Sequence, residues 1–238
     1  MKKIYVFIII LICIALFIGA WFYLDKDKEK NDILPNDQID QGILDIDPSE
    51  LIVFEVKKEP FSEFQKERAF DRFNNAKNII EQNGDDYLSD DNYYAWLEIA
   101  SVQKLIGDYD RAAQLWKWFN QAYAFNSISP ANLGDLYKSF VIDKEESEKY
   151  YLMAVDRDTK DFQIYYGLYE LYRYRFEDSE KALQILYDGF ENNQDDANFV
   201  NELTNYLLIL DRRSEAEELV EGYISTHPEA FSIREKLK

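Results

Sequence analysis

The sequence predicts an all-α protein: a solenoid of about four helix pairs with a capping helix at each end, preceded by one transmembrane helix. Three observations predict this class. Only 8 Gly and 5 Pro occur among 238 residues, too few for the frequent turns of a sandwich or barrel. Apolar residues recur at intervals of three and four beyond Pro60, which is typical of amphipathic helices. A long uncharged apolar run stands near the N-terminus.

This apolar run, residues 4–24, is long enough to cross the hydrocarbon core of a bilayer as a helix. We therefore expect residues 1–3 to be a cytoplasmic tip and residues 4–24 an uncleaved signal anchor, with the C-terminal domain outside the cytoplasm. A cleavable signal peptide is the competing interpretation, although its apolar region is usually shorter. These features predict a single-pass membrane protein that contacts the lipid bilayer through residues 4–24.

Residues 25–60 are rich in charge, contain Pro35, Gly42 and Pro48, and show no helical period. They predict a charged linker. The short apolar stretch from Leu51 to Val56 either docks on the domain as an extended segment or makes no contact.

Residues 61–84 predict an amphipathic capping helix. One face of this helix is expected to carry Phe64, Ala69, Phe73, Ala76 and Ile80. At the other end, residues 229–238 predict a short capping helix with Ala230, Phe231, Ile233 and Leu237.

Between the two caps, residues 92–228 contain four similar segments, and each is preceded by another helix. The predicted repeats are 92–125, 126–159, 160–194 and 195–228. Their second helices align on the small residues Ala112, Ser147, Ala182 and Ala216, and units two and three each carry one extra residue before the second helix.

A period of about 34 residues built from paired helices resembles the tetratricopeptide repeat. The first unit carries the pattern best, with Trp96, Ile99, Ala100, Gly107, Ala112 and Trp116, and Pro228 closes the fourth unit. Two departures are Ser147, where Ala is usual, and Tyr169, where a small residue is usual. The resemblance implies a right-handed α-solenoid whose first helices form a concave surface for protein binding.

In this repeat frame, one register of the first helices holds Lys104, Lys138 and Arg173 in three successive units. We expect these cations to bind an acidic segment or a C-terminal carboxylate, unless they pair with Asp135 and Glu170 three residues earlier on the same helix. The candidate peptide-binding residues are Tyr94, Leu97, Lys104, Asp135, Lys138, Tyr166, Glu170, Arg173, Tyr174, Asn201 and Asn205.

Composition excludes several other classes of function. Lys plus Arg number 27 against 46 Asp plus Glu, a net charge of -19, which argues against a nucleic-acid partner. One cysteine is too few for a Cys-based zinc site, and the single histidine, His227, excludes a two-histidine metal site. Because His227 stands beside Pro228 at a helix end, it is also a poor candidate for a Ser-His or Cys-His catalytic pair. The sequence therefore predicts no catalytic residue, no metal and no cofactor.

The function expected from these patterns is a membrane-tethered scaffold that binds a membrane-associated protein or peptide partner in its groove during assembly at a bacterial cell envelope. A cytoplasm-facing membrane receptor for peptides or client proteins is the alternative. A helical glycan-active hydrolase is a more remote one. The sequence leaves the partner's identity and any homo-oligomer open.

Overall fold

A computed structural model describes residues 47–84 and 90–237 of the chain. The predicted tip, the predicted anchor and residues 25–46 of the predicted linker lie outside this part. Within the described ranges all regular secondary structure is helical, so the predicted all-α class is confirmed there. The α-helices are α1 (Glu63–Gln82), α2 (Asp90–Leu105), α3 (Tyr109–Ala122), α4 (Ile128–Leu136), α5 (Lys144–Arg157), α6 (Phe162–Leu171), α7 (Ser179–Asn192), α8 (Ala197–Ile209) and α9 (Arg213–Thr226).

Membrane location is the prediction that needs correction. No helix within residues 47–84 and 90–237 is long and apolar enough to cross a bilayer. This finding contradicts the predicted single-pass location of the protein as far as the described residues extend. The predicted span itself, residues 4–24, lies outside them.

The helices form four consecutive pairs, α2 with α3, α4 with α5, α6 with α7, and α8 with α9, and each pair also packs on the next. The small residue that aligned the four units in the sequence is fully buried in every pair. These residues are Ala112, Ser147, Ala182 and Ala216. A residue without bulk at this point lets the two helices of a pair approach closely. Ser147 keeps this fit because its hydroxyl donates to the carbonyl oxygen of Gly134 at 2.8 Å, which satisfies the buried polar group.

In each pair, the turn that joins the two helices contains one residue in the left-handed region. These residues are Gly107 (φ 85°), Ile142 (φ 63°), Glu177 (φ 56°) and Asp211 (φ 58°). The backbone amide of the residue that follows donates a hydrogen bond to a carbonyl near the end of the first helix. This carbonyl belongs to the residue five positions earlier in units one and four, and six positions earlier in units two and three. A single turn of π-helix, at Tyr137–Val141 and Tyr172–Phe176, takes up the extra residue in units two and three.

Aspartate begins the second helix in three of the four pairs. The side chains of Asp108, Asp143 and Asp178 each accept a hydrogen bond from the backbone amide three residues later, which satisfies an otherwise free donor of the first turn. In the fourth pair Arg212 occupies this position and makes no side-chain cap.

The N-terminal stretch of the described chain packs on the first unit. A 3-10 turn (Pro48–Leu51) leads into an extended segment, residues 52–58, whose apolar side chains Ile52, Phe54 and Val56 face the core. The buried side chain of Gln103 donates to the carbonyl oxygens of Leu51 and Val53 at 3.2 and 2.6 Å. Residues 48–58, part of the predicted linker, therefore belong to the folded domain.

The extended segment ends against the first turn. The amides of Lys57 and Lys58 both donate to the carbonyl of Ile106, at 2.8 and 3.0 Å. A Cβ on Gly107 would lie 2.7 Å from the Cβ of Lys58, so only glycine allows this approach. Burial would raise the pKa of Asp108, but hydrogen bonds from Lys57 and Arg111 outweigh burial and lower it.

The two predicted caps are both helical, and one predicted apolar residue in each is exposed; in the C-terminal cap this residue is Phe231, at 66%. In α1, Ala69, Phe73, Ala76 and Ile80 are buried, but Phe64 is 66% exposed. Phe64 lies five residues before Ala69, and at 100° per residue this spacing places its side chain well away from the buried face of α1. The C-terminal cap is a 3-10 helix (Pro228–Leu237) in which Ile233 is buried.

Replacing Ile142 with Gly should stabilise the protein. A β-branched residue in the left-handed region costs about 1–2 kcal/mol, and the Ile142 side chain is 57% exposed, so little packing is lost. After allowing for the greater flexibility of glycine in the unfolded chain, we expect a gain of about 1 kcal/mol.

Urea denaturation followed by circular dichroism measures the effect. The matched control is Val141→Gly at the neighbouring position, which is also exposed but is not in the left-handed region, and it should lose stability. Equal losses in both variants would contradict the strain assigned to Ile142.

Candidate protein-binding groove

The first helices of the four pairs, α2, α4, α6 and α8, and the π-turns that follow α4 and α6 carry the predicted peptide-binding residues. We call the side chains that these helices leave accessible the A-face; it comprises Tyr94, Lys104, Asp135, Lys138, Tyr166, Glu170, Arg173, Tyr174, Asn201 and Asn205. Tyr94 and Tyr174 are its most exposed aromatic side chains, at 76% and 58%. The others are partly buried.

Leu97 is the predicted site residue that the structure removes from this face. Its side chain is only 8% exposed, so it cannot serve as a groove contact. Leu97 belongs to the same apolar core as Phe73 and Trp96.

A groove of about 390 Å³ lies on the A-face between α4 and α6. Its walls therefore come from two successive units, and one residue of α5 completes the lining. The lining residues are Ser127, Ile128, Ala131, Asn132, Asp135, Lys138, Tyr151, Asp161, Gln163, Ile164, Tyr166, Gly167 and Glu170.

Tyr151, from α5, lies at the bottom of this groove. Its side chain is 97% buried, being 3% exposed, and two glycines of the flanking helices make room for its ring. A Cβ on Gly134 would lie 2.7 Å from the ring, and a Cβ on Gly167 would lie 2.5 Å from it. Because these two positions carry no side chain, the Tyr151 ring fits between α4 and α6.

Burial and the nearby carboxylates of Asp135 and Glu170 raise the pKa of Tyr151 far above its usual range. Burial, followed by the charge of Glu170, also raises the pKa of Tyr166. Both phenols therefore stay neutral at physiological pH and can donate as well as accept hydrogen bonds.

Ion pairs join successive units along the A-face. Lys104 Nζ lies 3.1 Å from Asp135 Oδ2 of the next unit, and Lys138 Nζ lies 2.7 Å from Glu170 Oε2 of the unit after that. By contrast, Lys138 is 4.0 Å from Asp135 of its own helix. We call this row the ion-pair ladder.

The ladder changes the expected pairing of Lys104 and Lys138, although the expected contact of Lys138 with Asp135 is also present at 4.0 Å. Lys104 and Lys138 are not free cations, and their shorter contacts run between units rather than along one helix. The side chain of Lys138 is only 12% exposed, with its ammonium group 5.6 Å from the centre of the Tyr151 ring. Two of the three predicted anion-binding side chains are therefore already neutralised by carboxylates.

Arg173 ends the ladder. The position in the fourth unit that corresponds to Asp135 and Glu170 is Asn205, which offers no carboxylate. Arg173 instead donates to the hydroxyl of Tyr169, and its guanidinium lies 4.7 Å from the ring centre of Tyr174 and 5.0 Å from that of Tyr206. Tyr169, the departure noted in the third unit, thus serves to hold this arginine.

The two predicted asparagines of α8 lie away from the groove between α4 and α6. Asn201 donates to the carbonyl of Ala197 in its own helix at 2.9 Å. Asn205 accepts a hydrogen bond from Lys236 of the C-terminal 3-10 helix at 3.0 Å. The structure therefore brings Asp135, Lys138, Tyr166 and Glu170 together and leaves Asn201 and Asn205 at the end of the array.

Sequence reasoning missed the groove floor. Tyr151 belongs to a second helix, whereas the prediction considered only first helices. The signal available in the sequence was the pair of glycines, Gly134 and Gly167, in the interior of two helical patterns, where glycine is costly unless something packs closely.

Metal ligation finds no support in the described ranges, because no group of three or more His, Cys, Asp or Glu side chains lies in a position to hold an ion. The groove lining contains neither His nor Cys. Its polar groups are carboxylates, side-chain amides, one serine, one lysine and two phenols, which suit hydrogen bonding and ion pairing with a ligand.

The chain is similar in structure to a tetratricopeptide repeat protein, from the family that its repeat pattern resembles, and to MamA. A tetratricopeptide repeat protein from Parabacteroides merdae is 16% identical, with a TM-score of 0.49, over 80% of this chain and 70% of that one. A crystal structure of MamA is also 16% identical, with a TM-score of 0.49, over 72% of this chain and 98% of that one. A second MamA structure, from Desulfovibrio magneticus, is 14% identical, with a TM-score of 0.45, over 68% and 96%.

No family model matches the sequence, and no curated protein matches it. All three TM-scores lie below 0.5. The description of the repeat architecture therefore rests on the pairing of the helices and the 34- to 35-residue spacing of the buried small residues in this chain.

Replacing Gly167 with Ala should destabilise the protein and disturb the groove. The added Cβ would overlap the Tyr151 ring, and overpacking of this kind costs about 1–3 kcal/mol. Urea denaturation measures the loss. The control is Gly222→Ala in α9, where nothing lies within 4 Å of the added Cβ and the better helix former should stabilise by up to about 1 kcal/mol. A neutral Gly167→Ala would disprove the close contact.

A double-mutant cycle on Lys138 and Glu170 should show a coupling of about 1 kcal/mol, since the lysine is largely buried. The variants are Lys138→Met, Glu170→Gln and the double substitution, with unfolding free energies compared at low and high salt. The exposed i,i+3 pair of Glu146 and Lys149 is the control cycle and should give about 0.3–0.5 kcal/mol. A coupling no larger than that of the control would show that the ladder does not stabilise the junction between units.

Proposed function

We propose that the chain is a non-catalytic protein-binding scaffold and that a segment of its partner lies on the A-face, in the groove between α4 and α6. The observation that carries the proposal is the groove itself. It opens at the junction of two repeats, and its lining alternates apolar side chains such as Ile128 and Ala131 with hydrogen-bonding groups such as Asn132 and Gln163. This combination fits an extended peptide, whose backbone and side chains require both kinds of contact.

Exposed aromatic side chains extend this surface beyond the groove. Tyr94 lies on the first unit, and Tyr174 at the end of the third unit's first helix is held over Arg173. Tyrosines combine a large apolar surface with a polar tip, and they are enriched at protein interfaces for that reason. The groove and these two tyrosines thus offer contacts over three units.

We assign the groove no catalytic function because of the chemistry of its side chains. Asp135 and Glu170 each hold a lysine of the ladder, so neither is free to act as an isolated general acid or base. The groove lining contains no histidine or cysteine that could supply a nucleophile or shuttle a proton.

Site-specific photocrosslinking in the cells from which the chain comes tests the proposal. Benzoylphenylalanine in place of Tyr166 should give an adduct of defined mass with a partner protein. The same group in place of Gln184, an exposed residue of α7 outside the groove, should not give that adduct.

A groove-filling substitution supplies the second arm of this experiment. Ala131→Trp should abolish the adduct formed from position 166, because it occupies the volume that the partner needs. The matched variant Gln184→Trp should leave the adduct unchanged. Adducts that persist in Ala131→Trp, or that form equally well from position 184, would refute binding in the groove.

A further inference from the structure

We infer that the groove between α4 and α6 recognises a basic side chain, lysine or arginine, in the partner segment. The inference rests on the proposed function and adds the chemical class of the partner. It follows from the charges of the groove lining, from the hydrogen-bonding groups that remain unpaired there, and from the aromatic wall beside them.

The charge balance of the lining is negative. Asp135, Asp161 and Glu170 contribute three carboxylates against two ammonium groups, that of Lys138 in the lining and that of Lys104, which binds Asp135 from the preceding unit. The Lys138 ammonium is bound to Glu170 and covered by its surroundings, since only 12% of the Lys138 side chain is exposed. A cation that enters the groove therefore meets an excess of negative charge.

Acceptor oxygens remain available in the groove. Glu170 uses Oε2 to bind Lys138, and its Oε1 atom accepts no hydrogen bond from any described residue. Asp161 caps α6 with Oδ1, at 2.8 Å from the amide of Gln163, and its Oδ2 atom is likewise without a described donor. Both residues line the groove, Asp161 at the start of α6 and Glu170 near its end.

Tyr151 provides the second and independent observation. Its side chain is 97% buried yet lines the groove, and its hydroxyl group makes no hydrogen bond to any described residue. Because Tyr151 lines the groove, this hydroxyl is a polar group at the groove floor with which a ligand can form a hydrogen bond. A neutral phenol can accept a hydrogen bond from an ammonium or guanidinium group.

Tyr166 completes the recognition site. Its ring forms part of the groove wall beside Glu170, where a bound cation would lie against the face of an aromatic system, a favourable arrangement. A lysine or arginine would thus find a carboxylate oxygen, a phenol oxygen and an aromatic ring at one place. The net charge of -19 would in addition steer basic segments toward the protein.

Titration of the full chain with four short peptides tests the inference. The peptides share the sequence Gly-Ser-Leu-X-Leu-Ser-Gly, with X as Arg, Lys, Gln or Glu, and backbone amide shifts are followed by NMR. The Arg and Lys peptides should shift the amides of Asn132, Gly134 and Gly167. The Gln and Glu peptides should leave these amides unchanged at the same concentration.

Two variants connect this binding to the named groups. Glu170→Gln should weaken the Arg peptide about tenfold, the effect expected for one charge-assisted hydrogen bond. Tyr151→Phe, which keeps the ring and removes only the hydroxyl, should weaken it severalfold. Glu191→Gln, which removes an equal charge from an exposed position of α7, is the matched control and should bind normally.

The outcomes separate this inference from the proposed function. Binding of the Gln or Glu peptide as tight as that of the Arg peptide would overturn the basic preference while leaving the groove as a peptide site. If the groove crosslinks form but the Arg and Lys peptides do not shift the amides of Asn132, Gly134 and Gly167, the basic preference is likewise overturned and the groove remains a peptide site. Loss of the crosslinks themselves would overturn the proposed function.

Discussion

The close approach of the two helices in each pair is the constraint on which the rest of the fold depends. At Ala112, Ser147, Ala182 and Ala216 the second helix has almost no side chain, and each of these residues is fully buried against its partner helix. Because the four contacts recur every 34 or 35 residues, the pairs take up the same arrangement one after another. The turns, the aspartate caps and the A-face all inherit their spacing from these contacts.

Much of this architecture could be predicted because the packing leaves a repeated mark in the sequence. The small residues, the large residues of the first helices and the extra residue in units two and three were all visible in the printed chain. The sequence could not show whether the extra residue forms a π-turn or a longer loop, because both require the same number of residues. Ile142 and Glu177 give no sign that they occupy a backbone region that most residues avoid.

The groove was harder to predict because its contacts join residues that are far apart in the chain. Lys104 and Asp135, or Lys138 and Glu170, are separated by about one repeat, and their contact depends on how one pair is rotated on the next. The sequence offered nearer partners within a helix, which compete well in isolated helices. Leu97 failed as a site residue for a similar reason, since its burial in the core shared with Phe73 and Trp96 depends on how the helices pack.

The ion-pair ladder has a direction, and this gives the fold an evolutionary property. Each rung joins a cation of one unit to a carboxylate of the next, while the last unit carries Asn205 and the first is covered by the extended segment. If the third unit were duplicated, the Glu170 of the copy would lie opposite the original Arg173. The arginine of the copy would then be the last cation of the ladder. The array can therefore lengthen from within while both of its ends keep their contacts.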